Sequence, residues 1–309
     1  MYEKTAMMFI YVETPLHAGS GRGLGAVDLP IQRERITGYP IIQASSVKGK
    51  LRAEVRTANK WGDNSPEIEM LFGKAGDSGD NFAGAIALGD ARVLLFPVRS
   101  LAGVFAWTTC LHVLQRFARD CALAGTKLPA LDGLPSLGPG QALIGESSAL
   151  RAGDSVVLEE FSYEPKQETK VSELGEWLAQ HALPNNYEYE YWRSELPKKL
   201  IILPDDDFRD FALYATEVQT HVRLNPDTKT VQTGALWTTE SLPTDTLLYA
   251  PLMAMKPRQQ KDNQQAKDVN HVLETVKSAL DGKHVQFGGD ETTGQGWVVV
   301  KFAFAGGQS

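Results

Sequence analysis

The sequence predicts an α+β protein of antiparallel sheets covered by helices. Two sets of elements, one near each end of the chain, carry that expectation. In the first, the apolar run Met7–Glu13 (MMFIYVE), rich in aromatic and β-branched residues, reads as a strand buried on both faces. It feeds a glycine-rich loop and then a helix. In the second, an amphipathic helix over 261–281 leads into VQFGGDETTGQGWVVVKFAF, a second glycine loop between strands. Composition agrees, because 42% hydrophobic and 22% charged residues are the proportions of a soluble globular chain. At 309 residues it forms one large domain or two ordinary ones, with ample material for a core.

No apolar run approaches the roughly 18 residues needed to span a bilayer, and no basic segment precedes an apolar one at the N-terminus, so a cytoplasmic location is expected. Cys110 and Cys121 are eleven residues apart on one expected helix face. That leaves them roughly 16 Å apart along the axis, too far to bridge, and they read as reduced core thiols. The net charge of −7 argues against a protein that coats nucleic acid over its whole surface. It permits a local basic track: between Gln32 and Lys60, seven basic residues against two acids leave +5, so the rest carries −12. An anion-binding strip and chance clustering on a solvated helix both account for this.

The stretch Pro15–Arg52 holds the first loop and the first helix. Four glycines in seven residues (Gly19, Gly21, Gly23, Gly25) cost backbone entropy and belong where a chain bends sharply or approaches a ligand. Pro30 and Pro40 oppose a continuous helix, which makes this a long, backbone-rich loop that delivers Asp28 to a surface. Ser45 or Ser46 then caps a helix with the apolar stripe Val47, Leu51, Val55 and Ala58. Lys48, Arg52, Arg56 and Lys60 run beside it at i+4 spacing, a self-repelling ridge that an external anion such as phosphate would relieve.

Further along, residues 61–82 read as a surface connection ending in a Gly/Asp-rich loop, and Ala83–Val98 as a strand or hairpin. Val104–Cys121 reads as a strongly apolar helix with Trp107 packed in the core. Residues 124–155 look irregular, Ser155–Tyr163 forms a strand, and Val171–Ala182 a short amphipathic helix. A buried helix is expected between Asp206 and Val218, with Asp205, Asp206 and Asp207 as its cap and first-turn acids rather than as metal ligands. Thr220–Leu224, a turn at Asn225-Pro226-Asp227 and Lys229–Trp237 make a β-hairpin whose small apolar content suggests a projecting arm. Leu247–Met255 is a buried strand.

The glycine loop fails the nucleotide-binding tests. No P-loop string occurs, and Gly21-x-Gly23-x-x-Ala26 is followed by VDLPIQRE, not by a helix that could face a pyrophosphate. There is no nucleophile elbow, and the six histidines show no metal spacing. His17 is placed either for proton transfer near neutral pH or for packing against the loop. Asp28, between Val27 and Leu29, has no local role as cap or turn residue. Near a phosphate it must hold a metal ion or a proton, both used in RNA cleavage by the substrate's own 2′-OH; otherwise it pairs with Arg33 or Arg35.

The string HAGSGRGLGAVDLPIQRERITGYPIIQASSVKGKLR resembles the N-terminal signature of the RAMP proteins of type III CRISPR effector complexes. Three further pieces resemble the backbone subunits of type III-B (Cmr) complexes: LGDARVLLFPVRS at 88–100, GALWTTESLPTDTLLYAPL at 234–252 and FGGDETTGQGWV at 287–298. The resemblance implies a RAMP fold: a ferredoxin-like, RRM-related palm with an antiparallel sheet (1–123 and 238–309), helical insertions over 124–217 and a projecting β-hairpin thumb over 218–237. It implies copies stacked along a CRISPR guide RNA beside other Cmr subunits. Complementary target RNA is then cut at regular intervals by an endoribonuclease that depends on a divalent metal such as Mg2+.

By the same resemblance Asp28 is the catalytic and metal-binding aspartate, and His17 and Glu240 belong to the active site. RNA contact is expected from Gly19, Gly21, Arg22 and Gly23, from Ser45, Ser46, Lys48, Lys50, Arg52 and Arg56, and from Gly288, Gly289, Gly294 and Gly296. Asp290 and Glu291 are expected to be structural. Where the family often has a tyrosine after the glutamate, this chain has Ser241-Leu242. A non-catalytic guide-binding scaffold and a guide-processing nuclease are the competing readings; a match at 234–252 speaks against the latter.

Overall fold

The computed structural model describes residues 2–23, 25–74, 82–257 and 268–304. The first strand is β1 (Lys4–Val12), whose last seven residues are all buried, as a run of apolar residues without alternation requires. After the long glycine loop come β2 (Ile41–Ile42) and α1 (Ala44–Ala58), then α2 (Pro66–Phe72), β3 (Ile86–Leu88) and β4 (Ala91–Arg99). The helix α1 buries Val47, Leu51 and Val55. Each such side chain contributes roughly 1.5–3 kcal/mol of burial.

Gln43, not Ser45 or Ser46, occupies the N-cap of α1, and the Asp90 carboxylate accepts from the Ala44 N–H at 2.8 Å. The 61–82 connection contains α2, started by Ser65, whose Oγ accepts from the Ile68 N–H at 3.3 Å, with Pro66 in the first turn. Residues 75–81 of the Gly/Asp-rich loop, and the first part of the helix expected over 261–281, lie outside the described residues.

The span expected as one helix, Val104–Cys121, is β5 (Phe105–Cys110) followed by α3 (Leu111–Ala124). Gly103 and Val104, at φ 75° and 74°, form the turn into β5. Trp107 is buried in β5, and its indole N–H donates to the Asp245 carbonyl at 2.8 Å. Both cysteines are buried and free; burial pushes their thiols up to about 12, so they are inert.

The central segment is less irregular than expected. It supplies β6 (Gln141–Ile144), β7 (Arg151–Ala152), β8 (Ser155–Leu158), β9 (Phe161–Gln167), α4 (Thr169–Ala182), α5 (Glu190–Lys199), β10 (Leu200–Leu203) and α6 (Asp205–Tyr214). The insertions are therefore strands as well as helices. Asp205 does not cap its own helix, since its Oδ1 accepts from the His112 N–H at the start of α3, 3.1 Å away. Next come β11 (Glu217–Leu224), β12 (Val231–Ser241), β13 (Leu247–Ala254), α7 (Val269–Leu280), β14 (Lys283–Gln286) and β15 (Trp297–Phe304).

Thirteen strands form one sheet in the order β14-β15-β1-β13-β4-β5-β10-β6-β9-β8-β7, with β2 on β4 and β3 on β13. Its pairs are antiparallel except β5–β10 and β6–β9. Helices α3 and α4 cover β1, and α1 packs on α7 and α2. The strands β11 and β12 stand apart as a two-stranded hairpin. Val218, Val222, Leu224, Val231 and Leu236 are exposed along it, so this hairpin projects. Among the described residues no helix is long and apolar enough to cross a membrane.

Candidate active site

The site assembles where the first glycine loop meets the root of the hairpin. Leaving β1, the chain bridges Leu16 to Leu242, then folds back on itself: Ser20 N–H donates to Pro30 O at 3.0 Å and Gly23 N–H to Asp28 O at 2.8 Å. A Cβ at Gly23 would lie 2.8 Å from the Val27 carbonyl oxygen, so the tight return requires glycine there. The returning limb lies alongside β12, with Leu29 bridged in parallel to Thr239. Leu29 N–H donates to Thr238 O at 3.0 Å, and Glu240 N–H to Leu29 O at 2.9 Å.

Asp28 is exposed at this junction. Its Oδ2 accepts from the Thr238 backbone N–H at 2.8 Å and from the Thr238 hydroxyl at 3.0 Å, and its own N–H donates to that hydroxyl oxygen at 2.9 Å. The Thr238 N–H, then its hydroxyl, then nearby Arg22 hold the carboxyl below the usual aspartate value. Asp28 is therefore an anion at neutral pH. Oδ1 has no hydrogen-bond partner among the described residues. Neither Arg33 nor Arg35 pairs with Asp28, and Arg33 turns instead to Glu240.

Glu240 is only 6% exposed. Its Oε1 accepts from Arg33 at 2.5 Å and from the Thr216 hydroxyl at 2.8 Å, and its Oε2 from the Ile31 N–H at 3.0 Å. Arg33 in turn donates to the carbonyls of Gly38 (2.9 Å) and Ala212 (2.8 Å). Both carboxylate oxygens are thus committed to holding the loop against the hairpin. Next to it, the half-buried His17 places Nδ1 2.6 Å from the Glu240 carbonyl oxygen. Asp28, His17 and Glu240 therefore all converge on residues 238–240 of one strand.

The second glycine loop packs against His17: Gly289 N–H donates to His17 O at 3.0 Å. A Cβ at Gly288 would sit 2.2 Å from that oxygen, and one at Gly296 1.9 Å from Phe287 O; at Gly19 it would lie 2.6 Å from His17 Nε2. These three glycines make room for the protein's own chain. Gly21 and Gly294 have positive φ with open space before them. Asp290 holds its loop through its backbone, its carbonyl accepting from Thr293 and Gln295.

Half of the basic ridge is used from within, and so is the neighbouring Lys50. Arg52 donates to the carbonyls of Gly73 (2.8 Å) and Asp63 (3.1 Å), Arg56 pairs with the Asp63 carboxylate, and Lys50 pairs with Glu54 at 2.7 Å. Lys60 lies beyond the helix. Lys48 has no carboxylate partner among the described residues, and burial and the neighbouring Arg52 hold its ammonium below the usual lysine value. It lies one turn from the exposed Ser45 and Ser46, so its ammonium and those hydroxyls can meet an anion, while the Asp90 carboxylate already holds the Ala44 N–H at the helix start.

Sequence reading did not single out Thr238 or pair Arg33 with Glu240. Period-two alternation puts Thr238 on the same face of β12 as Glu240, which is the signal that points to it.

The RAMP superfamily pattern matches residues 9–299. The chain belongs to this superfamily. It is 38% identical over 298 residues to the CRISPR system Cmr endoribonuclease Cmr4 of Pyrococcus furiosus, covering 96% of this chain and 95% of that protein. The CRISPR system CMR subunit Cmr4 of Saccharolobus solfataricus is 27% identical over 309 residues, with 95% of each chain covered. Oligomeric Cmr4 from Pyrococcus furiosus superposes with a TM-score of 0.73 at 31% identity, covering 97% and 98% of the two chains. A chain of the Type III-B Cmr-beta assembly bound to cognate target RNA shares the fold, with a TM-score of 0.71 at 21% identity. The fold is thus the α+β RAMP fold.

Proposed function

We propose that this protein is the backbone subunit of a type III-B CRISPR ribonucleoprotein and cuts complementary target RNA at Asp28. Copies stack along a guide RNA beside other Cmr subunits, the β11–β12 hairpin serves as the thumb, and residues 1–123 and 238–309 as the palm. One observation carries the cleavage reading. Asp28 is an exposed, ionised carboxylate whose Oδ2 is held by Thr238 while Oδ1 is left free. The similarity to a Cmr endoribonuclease over nearly the whole chain supports the same reaction class.

In that reaction the 2′-OH of the target ribose attacks the adjacent phosphorus and loses its proton. The P–O5′ bond breaks and the leaving 5′-oxygen gains a proton, giving a 2′,3′-cyclic phosphate and a 5′-hydroxyl. Among the described residues no three His, Cys, Asp or Glu side chains cluster as a protein-only metal cage. A single free carboxylate oxygen beside RNA phosphates suits Mg2+, which is held by one or two carboxylates and otherwise by phosphate and water. When bound there the ion supplies charge neutralisation at the reacting phosphate. Asp28 would hold it, Lys48 would hold a phosphate, and Glu240 with Arg33 keeps the Asp28 loop in register.

Asp28→Asn in the assembled complex is expected to abolish target cleavage and to leave guide and target binding intact. Full cleavage by that variant refutes the assignment.

A further inference from the structure

We propose that Thr238 is a positioning residue for RNA cleavage, fixing the Asp28 carboxylate to the projecting hairpin rather than to the body of the sheet. The inference rests on the reading of Asp28 as the cleavage carboxylate.

An exposed aspartate ordinarily samples several rotamers, and each unproductive one subtracts from the reactive population. Here the side chain is tied at one oxygen by two donors of a single residue, the N–H at 2.8 Å and the hydroxyl at 3.0 Å. The same hydroxyl accepts from the Asp28 N–H at 2.9 Å, so it fixes the backbone and the carboxylate together. With Oδ2 spent, Oδ1 is the oxygen presented outward.

Thr238 stands on β12 opposite Thr220 of β11. Those two strands pair only with each other as strands and are not part of the thirteen-stranded sheet. The next anchor, Glu240, belongs to the same strand and takes Ile31 N–H and Arg33. The limb bearing Asp28 is thus an extra edge on the hairpin root. The hydrogen bonds of the carboxylate itself therefore go to the hairpin, while the limb's backbone is tied also to the first loop at Ser20 and Gly23.

The test uses the complex reconstituted with a guide RNA, measuring single-turnover cleavage and target binding together. Thr238→Ala keeps the backbone N–H but loses the hydroxyl, and it should cut ~10-fold more slowly, with target affinity within about twofold of wild type. The Mg2+ concentration for half-maximal cleavage should rise. In the isolated chain, the Asp28 carboxyl, followed by carbon NMR, should titrate at higher pH than in the wild type. Thr238→Ser restores the hydroxyl and should recover the rate, the Mg2+ midpoint and the Asp28 titration. Wild-type cutting by Thr238→Ala with an unchanged Mg2+ midpoint overturns the inference. So does a Ser variant as impaired as the Ala variant, which would indicate packing by the methyl group. Asp28→Asn run alongside separates the two levels: if it cuts fully, the reading of Asp28 falls, whereas its loss beside an unaffected Thr238→Ala overturns only the role of Thr238.

Discussion

Replacing Glu240 tests whether its buried carboxylate holds the loop or takes part in the reaction. Glu240→Ala removes the acceptor for Arg33, the Thr216 hydroxyl and the Ile31 N–H at once. Breaking a fully buried ion pair by deleting one partner costs about 3–5 kcal/mol, mostly because the other charge is stranded. The Arg33 side chain is 19% exposed and keeps the carbonyls of Gly38 and Ala212 as acceptors, which places the cost near the lower end, about 3 kcal/mol. For a chain of this size about 2 °C of Tm accompanies each kcal/mol, so a fall of about 6 °C is expected in a thermal melt at neutral pH. Glu240→Gln keeps the shape and one acceptor oxygen and should lose about half as much. A Glu240→Ala Tm within about 1 °C of wild type refutes the structural argument. A Glu240→Gln protein that melts normally and binds RNA, yet does not cut, assigns Glu240 to the chemistry instead.

Three further outcomes follow from the same geometry. Gly288→Ala, whose Cβ would meet His17 O at 2.2 Å at a φ of +79°, should fail to fold or lose several °C in a melt; Gly294→Ala, at φ +80° in open space, should cost only ~1 kcal/mol. Lys48→Ala should weaken RNA binding and reduce the salt slope by about 0.7 if it meets one phosphate, whereas Arg52→Met should lower the urea midpoint and leave that slope unchanged. Burial alone would raise the Glu34 carboxyl, but the Arg116 fork, Thr37 and Arg92 outweigh it and hold it below its ordinary value. A folded-state pKa below the unfolded one stabilises fully above the unfolded value of about 4.3, and that contribution is lost as pH falls through the folded value. Glu34→Gln should therefore flatten the loss of stability below about pH 4, read from urea midpoints between about pH 3 and 7.

Strong local signals were legible in the sequence. The unbroken apolar run of β1, the hairpin turn at Asn225–Asp227 and three members of the α1 stripe (Val47, Leu51, Val55) form as expected, whereas Ala58, at the last position of the helix, is exposed. The misread span, Val104–Cys121, has both faces of β5 buried, so its alternation is masked and its apolar residues also fit a helical stripe. The positive-φ pair Gly103-Val104 marks the turn from β4 into β5, but β5 runs directly into α3 at Leu111 with no turn residue to mark the change. Asp205 looked like a local cap but serves α3, because helix termini accept any carboxylate the fold brings near. The i+4 ridge on α1 is real, yet the partners of Arg52 and Arg56 come from the loop that returns at Asp63 and Gly73. In the site, the exposed Asp28 followed from its lack of a local role. The Arg33–Glu240 pair spans 207 positions, and no local pattern announces it.

An RNA-cutting carboxylate must be exposed to reach a phosphodiester, and exposure is what frees it to rotate. The chain resolves that conflict over three residues of β12. Its outer half is open to solvent, while Thr239, Glu240 and Ser241 are buried. Asp28 is bonded at Thr238, the last residue before burial begins, and Ile31 and Arg33 at Glu240, two positions further in. Both run along one face because a strand repeats every two residues. The loop limb lies parallel to β12, so advancing three to five residues from Asp28 carries it from the exposed contact to the buried one. The buried carboxylate therefore resists sliding of the limb, and the exposed one inherits that register without being buried itself. A one-residue slip would move Asp28 off the Thr238 N–H and strand Arg33 away from its counter-ion, so the cost of misplacing the exposed carboxylate is set by the buried pair.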